Sequence, residues 1–208
     1  GETGPCGPCS EIHIDLGPER CQCQDPSQCG VNRNCPRYIK IWNLVFIQYN
    51  RQEDGSLVPL PAKHVDTGMG FERLVALIQG KQSNYDIDLF TPIIGEIAAI
   101  TSQTYGGGDQ PADIAFRVVA DHIRALCCCF ADGALPGNGG RGYVLRRLLR
   151  RAARFGHQHL GMQEPFIFRL VPVVAEIYRD VFPEISQRQQ HVQLLVKSEE
   201  EAFAQMLT

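Results

Sequence analysis

A stretch that could bind an anion runs from residue 65 to residue 74, VDTGMGFERL. Its glycines, Gly68 and Gly70, follow a β-favouring pair and precede an apolar helical pattern that we expect to end near Gly80. Glycine lets the backbone come close to a ligand, and the first turn of a helix offers free N–H groups to an anion. Arg73 on that turn adds a permanent charge suited to phosphate oxygens. Alone, the pattern also fits a glycine turn with a surface arginine.

A second group with possible chemistry is the run of six arginines between residues 141 and 154, which contains no acidic residue. On a helix, five of them would form one basic stripe: Arg146, Arg147, Arg150, Arg151 and Arg154. The leucines and alanines of the segment would cover the opposite face. A stripe of arginines fits a phosphate backbone. It also fits a solvated face, or pairing with the three glutamates at 199–201.

The nine cysteines form the third group. Four of them within fifteen positions could hold a tetrahedral zinc: Cys21, Cys23, Cys29 and Cys35. The segment lacks the paired Cys-x2-Cys spacing of most zinc sites, so we favour a loop with free thiols and no metal. Residues 127–129 are consecutive cysteines that would point around a helix and pack in its core. The odd number of cysteines favours a reducing compartment.

Four segments in the same order resemble alanyl-tRNA synthetases, which are class II enzymes. They are residues 3–11 (TGPCGPCSE), 41–46 (IWNLVF), 66–73 (DTGMGFER) and 141–147 (RGYVLRR). Residues 66–73 resemble the third signature motif of that class. The resemblance covers the chain except residues 18–37, a polar cysteine-rich loop that departs from the family pattern.

The resemblance implies an α+β fold, in which part of an antiparallel class II sheet with flanking helices precedes an all-α helical domain. Residues 1–101 would be the C-terminal half of the catalytic domain. The glycine-rich polar stretch 102–112 would be a linker, and 113–208 the helical tRNA-recognition domain. The family's first two motifs and its editing domain, where we place its zinc, would lie outside this sequence. We therefore expect a fragment that is inactive alone.

In the resembling family, alanine is activated with Mg²⁺-ATP to alanyl-adenylate and then transferred to the 3′ end of tRNA. By resemblance, Asp66 would bind the ammonium group of alanine and Asn43 its carboxylate. Val45 and Gly68 would shape a small side-chain pocket. A carboxylate suits an ammonium group, and an amide can donate to a carboxylate. No covalent nucleophile is needed, since positioning and charge stabilisation would carry catalysis.

The same resemblance places the two remaining substrates. Trp42 and Gly70 would lie at the adenylate, and Arg73 would bind the γ-phosphate of ATP. Arginines of the stripe would lie along the acceptor stem of tRNA(Ala). Asn138, in the loop before them, would reach the minor groove of that stem, where a short donor–acceptor side chain can read a base pair. The alternatives are a non-catalytic tRNA- or zinc-binding module and a degenerate structural paralogue.

Composition restricts the class of protein. The 208 residues are 44% hydrophobic and 21% charged, as in an ordinary globular protein. The net charge of −3 predicts no global affinity for nucleic acid. The sequence contains no run of 18 apolar residues, the length that would predict a membrane-spanning helix. We expect a cytoplasmic or mitochondrial matrix protein. The segment 165–184 resembles the animal mitochondrial form more closely.

The elements that would position these groups follow from periodicity. Strands are predicted at 10–15, at 38–50 as a central strand covered on both faces, and at 62–66, with a hairpin turn at 51–56. The apolar face of the helix after Gly70 would be Phe71, Leu74, Val75 and Ile78. Further helices are predicted at 84–101 (capped by Asp86 or Asp88), 114–131, 144–155, 164–182 and 186–206.

Overall fold

The structure, a computed structural model, describes residues 2–33 and 35–207. It divides the chain into two units, Gly1–Asn84 and Tyr85–Thr208. The first unit contains a four-stranded antiparallel sheet, and the second is helical. The predicted α+β class is therefore confirmed. Every helix of the described residues is too short or too polar to span a bilayer.

The sheet is organised around its third strand. The strands are β1 (Gly4–Cys6), β2 (Cys9–Asp15), β3 (Tyr38–Arg51) and β4 (Leu57–Met69). β3 pairs with β1 and β2 along one edge and with β4 along the other, always antiparallel. The predicted position of β3 is confirmed, because its β-branched and aromatic density is a strong strand signal.

A hairpin turn joins β3 to β4, as predicted. The backbone N–H of Gln52 donates to the carbonyl of Ser56 at 2.9 Å, and Asp54 Oδ1 accepts from the N–H of Ser56 at 2.8 Å. Gly55 has φ 83°, a left-handed conformation that favours glycine. The turn allows β4 to pair from Leu57 onward, so the strand is longer than the predicted 62–66.

Helix α1 (Phe71–Ile78) ends two residues before Gly80, as predicted. The predicted apolar face is only partly covered: Phe71 is 56% and Ile78 74% exposed, whereas the neighbouring Ala76 is buried. Only one residue separates β4 from α1, so the direction of the strand fixes which side of the helix meets β3. The apolar pattern alone does not contain that information.

Strand β3 is not covered on both faces, contrary to the prediction. None of its residues is fully buried, and Phe46 is 37% exposed. Most of β4 is also exposed, including Val65 at 60%. Helix α1 packs on β3, but it is too short to cover a 14-residue strand. The sheet therefore presents open surface in this unit.

The helical unit contains α2 (Thr91–Thr101), α3 (Pro111–Ala131), α4 (Gly140–His159), α5 (Val171–Tyr178), α6 (Pro183–Gln187) and α7 (Gln189–Leu207). Its core includes fully buried phenylalanine and isoleucine side chains of several elements: Phe90, Ile93, Ile97, Phe116, Ile123, Phe130 and Phe166. The predicted helices at 114–131 and 144–155 are confirmed as α3 and α4, each with a longer N-terminal end. The predicted 186–206 helix corresponds to α7.

Two helix predictions were wrong at their starts, and proline explains both. α2 begins at Thr91 rather than residue 84, because Pro92 is tolerated only in the first turn of a helix. Neither Asp86 nor Asp88 caps it, since the N-cap position is held by Phe90. The predicted 164–182 helix is a 3-10 turn followed by α5, which carries proline at its own N-terminus.

The predicted linker at 102–112 follows α2, which lies on the helical side of the division between the two units. α2 packs against α3 and α5, so it belongs to the helical unit. The glycine-rich segment after α2 is thus a connection inside that unit. Its fold is fixed by Asp113, whose carboxylate accepts the N–H groups of Gly106 at 2.6 Å and Gly108 at 3.0 Å.

Candidate functional site

Strand register brings four of the predicted substrate residues together. Asn43 lies directly opposite Gly68, and Val45 lies directly opposite Asp66. Facing residues of antiparallel strands project to the same side, and so do residues two apart on one strand. All four therefore share one face of the β3–β4 ribbon, where Asp66 is exposed.

Strand β2 adds two residues to this face that sequence reasoning did not assign. Cys9 is paired with Val45, and Glu11 with Asn43. The Cys9 thiol donates to Asn43 Oδ1 at 3.1 Å. The amide oxygen is thus engaged within the sheet, and the NH₂ group is the end of Asn43 left to face a ligand. The alternation of Cys9 and Glu11 along a predicted strand is the signal that could have found them.

Glu11 is held as a carboxylate. Its Oε1 accepts from Lys40 Nζ at 2.7 Å, and its Oε2 lies 3.0 Å from His13 Nε2 and 3.1 Å from Asn32 Nδ2. These hydrogen bonds, that from Lys40 first, lower the pKa of Glu11 from 4.5 to about 2. The face beside Asn43 therefore carries a fixed negative group with its charge partly balanced by Lys40.

Gly68 and Gly70, the two glycines of the 65–74 stretch, have different structural roles. β4 continues through Gly68, where an added Cβ would meet no atom within 4 Å. Gly70 alone connects strand to helix, and an added Cβ would lie 3.2 Å from Arg73 Cδ. The predicted glycine turn is therefore a single residue. Gly68 leaves open space on the sheet face, and Gly70 gives room to the arginine.

Arg73 and Trp42 lie apart from the four-residue face. Arg73 Nη1 donates to the backbone carbonyl of Lys40 at 2.9 Å, and its side chain lines a cavity of about 310 Å³ between α1 and the sheet. Trp42 precedes Asn43 on β3, so it projects to the opposite side of the ribbon, where its Nε1 donates to Thr67 Oγ1. The structure thus does not bring Trp42 onto the Asn43 face.

The predicted basic stripe on α4 is divided in two. Glu199 of α7, with a side chain 8% exposed, lies 2.9 Å from Arg150 Nη2 and 3.0 Å from Arg146 Nε. The Arg150 pair has hydrogen-bond geometry, whereas the Arg146 contact is within ion-pair distance only. Both arginines are thereby used inside the helical unit. The outward row is formed by Arg147, Arg151 and Arg154, which are exposed.

Asn138 is exposed in the loop before α4, and its Oδ1 accepts from Arg146 Nη1. The loop itself folds closely on the first turn of the helix. The N–H of Gly137 donates to the carbonyl of Gly142 at 3.0 Å, and an added Cβ on Gly142 would lie 2.7 Å from Leu135 O. Glycine is required at that contact, and the close approach fixes where Asn138 is presented.

The cysteine-rich loop is more ordered in space than its spacing indicated. The sulfur atoms of its four cysteines lie within 4.8 Å of one another. Hydrogen bonds between the thiols, that to Cys35 first, raise the pKa of Cys23 to about 11, and a bond to Cys21 raises that of Cys29 to about 12. The backbone N–H of Arg37 lowers the pKa of Cys35 to about 7. In α3, Cys127 is buried as predicted, whereas Cys128 and Cys129 are half-buried.

A sequence model of the family described as "tRNA synthetases class II (A)" matches residues 1–208. The chain belongs to this class II synthetase family. The antiparallel ribbon around β3, with its glycine stretch before α1, is thus the class II sheet expected from the sequence. The resemblance to alanyl-tRNA synthetases within that class is supported by the names of the relatives that follow.

Two relatives illustrate the similarity. The chain is 55% identical over 204 residues to the alanine–tRNA ligase of Chlorobaculum tepidum, covering 98% of this chain and 22% of that protein. It is 51% identical over 207 residues to the alanine–tRNA ligase of Christiangramia forsetii, covering 100% of this chain and 24% of that protein. This synthetase chain therefore spans about a quarter of the length of the curated relatives it matches.

Proposed function

We propose that the protein containing this chain is an alanine–tRNA ligase, which activates alanine with Mg²⁺-ATP and transfers it to tRNA(Ala). The single observation that carries the proposal is the strand register that sets Asn43 opposite Gly68 and Val45 opposite Asp66. That register gathers a carboxylate, an amide, a small apolar side chain and open space on one face. These are the groups that a small amino acid needs.

Each group has a role for alanine. The exposed Asp66 carboxylate pairs with the ammonium group. Asn43, whose oxygen accepts from Cys9, directs its NH₂ group to the carboxylate of the substrate. The methyl group lies against Val45, over the space left by Gly68. Because the reacting carboxylate is held by a neutral amide rather than a cation, it keeps its nucleophilic charge for attack on the α-phosphate.

ATP, carried with Mg²⁺ as substrate, belongs near the start of α1. Arg73 is on the first turn of that helix, and its guanidinium binds the γ-phosphate once it leaves the Lys40 carbonyl or shares its donors with it. Gly70 supplies the free space that lets Arg73 pack against the backbone. Trp42 would serve the adenylate from the other face of the ribbon.

The acceptor stem of tRNA is assigned to α4. The outward arginines Arg147, Arg151 and Arg154 are available for phosphates, whereas Arg146 and Arg150 act through Glu199. The contact of Arg146 with Asn138 orients the loop that would enter the minor groove. This division narrows the predicted phosphate contacts from five arginines to three.

We place the activity in the cytoplasm or the mitochondrial matrix.

The amino-acid site is tested by Asp66→Ser in the full-length protein, with Glu53→Ser as a matched control on the exposed hairpin turn. Loss of the counter-charge to the ammonium group should raise the alanine KM about ten- to a hundredfold, since a charge-assisted hydrogen bond contributes about 1.5–3 kcal/mol. The measurement is alanine-dependent pyrophosphate exchange. An unchanged KM in Asp66→Ser would remove this residue from the site.

A further inference from the structure

The loop between β2 and β3 brings four cysteine sulfur atoms together, although it buries little apolar surface. Apart from the 3-10 turns Pro18–Arg20 and Pro26–Gln28, its described residues form no regular helix or strand. Cys35 is the one described residue between these strands that is fully buried. Apolar burial therefore contributes little to its fold. Something else must hold four cysteines, spread over fifteen positions, in one place.

The distances fit a tetrahedral metal. The sulfurs of Cys29 and Cys35 are 3.4 Å apart, those of Cys21 and Cys35 are 3.8 Å apart, and all four, Cys23 included, lie within 4.8 Å. Four thiolates at about 2.3 Å from one zinc ion are about 3.8 Å from each other. We propose that Cys21, Cys23, Cys29 and Cys35 bind one structural Zn²⁺.

The arrangement favours one ion over two disulfides. A disulfide joins sulfurs in exclusive pairs. Here Cys35 lies close to Cys29 and Cys21 at once, and the sulfur of Cys23 is also within 4.8 Å of it. One sulfur with three sulfur neighbours is the geometry of a shared centre. Four soft ligands also leave no open coordination position, so the ion is structural rather than catalytic.

The zinc would fix the loop against β2, the strand that pairs with β3 beside Asn43 and Val45. Arg37 makes a two-point contact with Asp15 at the end of β2, with nitrogen–oxygen distances of 2.6 and 2.5 Å. Asn32, between Cys29 and Cys35, donates to Glu11 Oε2 at 3.1 Å. These contacts lie on either side of Cys35 in the sequence. The metal thus holds both of them in place, and through Asn32 it positions Glu11 beside Asn43.

Metal content tests the site. Protein purified without chelators is analysed for zinc as wild type, Cys29→Ser, Cys35→Ser and the control Cys128→Ser, whose half-buried thiol lies in α3. We expect each loop variant to contain one zinc per chain fewer than wild type, and the control to match wild type. Comparing variants removes any zinc bound elsewhere. Equal zinc in all four proteins overturns the proposal.

Two further measurements keep the test decisive if the serine variants fold poorly. Cys29→His preserves four ligands and should retain the zinc. In cobalt-exchanged protein, thiolate-to-cobalt charge-transfer and tetrahedral d–d absorption should be present in wild type and in Cys128→Ser. A Cys29–Cys35 disulfide in the purified protein, iron absorption in place of zinc, or wild-type protein lacking the cobalt bands would each contradict the proposal.

Discussion

In the helical unit Phe116 and Ile123 are fully excluded from solvent, whereas in the sheet unit Leu57 is 53% and Val65 60% exposed. Apolar burial, at about 25 cal/mol per Å², is thus concentrated in one unit. The sheet unit relies on the backbone pairing of β3 and on polar contacts such as Arg37 with Asp15. The sheet unit, which carries the residues proposed to bind alanine and ATP, thus has fewer buried apolar side chains than the helical unit.

The largest expected effect tests that contrast directly. Phe116→Ala should lower the free energy of unfolding by about 3–5 kcal/mol, because it removes a fully buried ring from α3. Ile78→Ala, at a site 74% exposed on α1, should change it by about 0.5 kcal/mol or less. Denaturant unfolding of both variants measures the difference. Similar losses in the two would mean that the units are stabilised in the same way.

A second prediction uses the buried Glu200 of α7, which is 3% exposed. Its carboxylate accepts the N–H groups of residues 166, 167 and 168 at 3.0–3.1 Å, yet burial raises its pKa from 4.5 to about 7. The folded state therefore binds the proton more tightly than the unfolded chain. The contribution of Glu200 to the free energy of unfolding is therefore fully present below pH 4.5 and is lost as the pH rises from 4.5 to 7, by about 3 kcal/mol.

Glu200→Gln cannot ionise, so it should lose this part of the pH dependence while keeping a constant cost for the altered hydrogen bonds. Unfolding midpoints of wild type and variant, measured from pH 5 to pH 8, give the difference. Parallel pH profiles would show that Glu200 is already charged at pH 5. The helical unit would then depend on a buried ion rather than on apolar packing alone.

A third prediction concerns the paired and the exposed arginines of α4. Arg150→Ala removes a partner from the nearly buried Glu199 and should cost about 1–3 kcal/mol of stability. Arg147→Ala, on the exposed row, should cost about 0.5 kcal/mol or less. In tRNA binding by the full-length protein, Arg147→Ala should reduce the slope of log K against log salt by about 1. Equal stabilities with an unchanged slope would contradict the division of the stripe.

Local patterns were sufficient for several elements. The β-branched run of β3, the Asp54-Gly55 turn and the long apolar pattern of α3 each determine structure from neighbouring residues, and each was predicted correctly. The family motifs on β3 and β4 also predicted residues that the register brings together. The opposite placement of Trp42 was available from strand alternation and was missed because the motif was treated as one site.

Tertiary contacts decided the rest. Pairing of the stripe with the glutamates at 199–201 was one of the alternatives from the sequence, but helical spacing could not tell which arginines face Glu199; the structure selects Arg146 and Arg150. The convergence of four cysteines depends on turns such as that at Asn32, which has φ 60°. The exposed side of α1 depends on the direction in which β4 ends. In each case the missing information was the position of a second element rather than a local preference.

At Gly68, the stability of strand β4 and the proposed binding of alanine favour different residues. Glycine weakens a strand interior, and an alanine there would meet no atom of the described chain within 4 Å, so Gly68→Ala is expected to stabilise the sheet slightly. The same methyl group would occupy the space beside Asp66 and Asn43. Under the proposed alanine site, the chain forgoes strand stability for a volume that the substrate would occupy, and Gly68→Ala would give a more stable sheet that binds alanine less tightly.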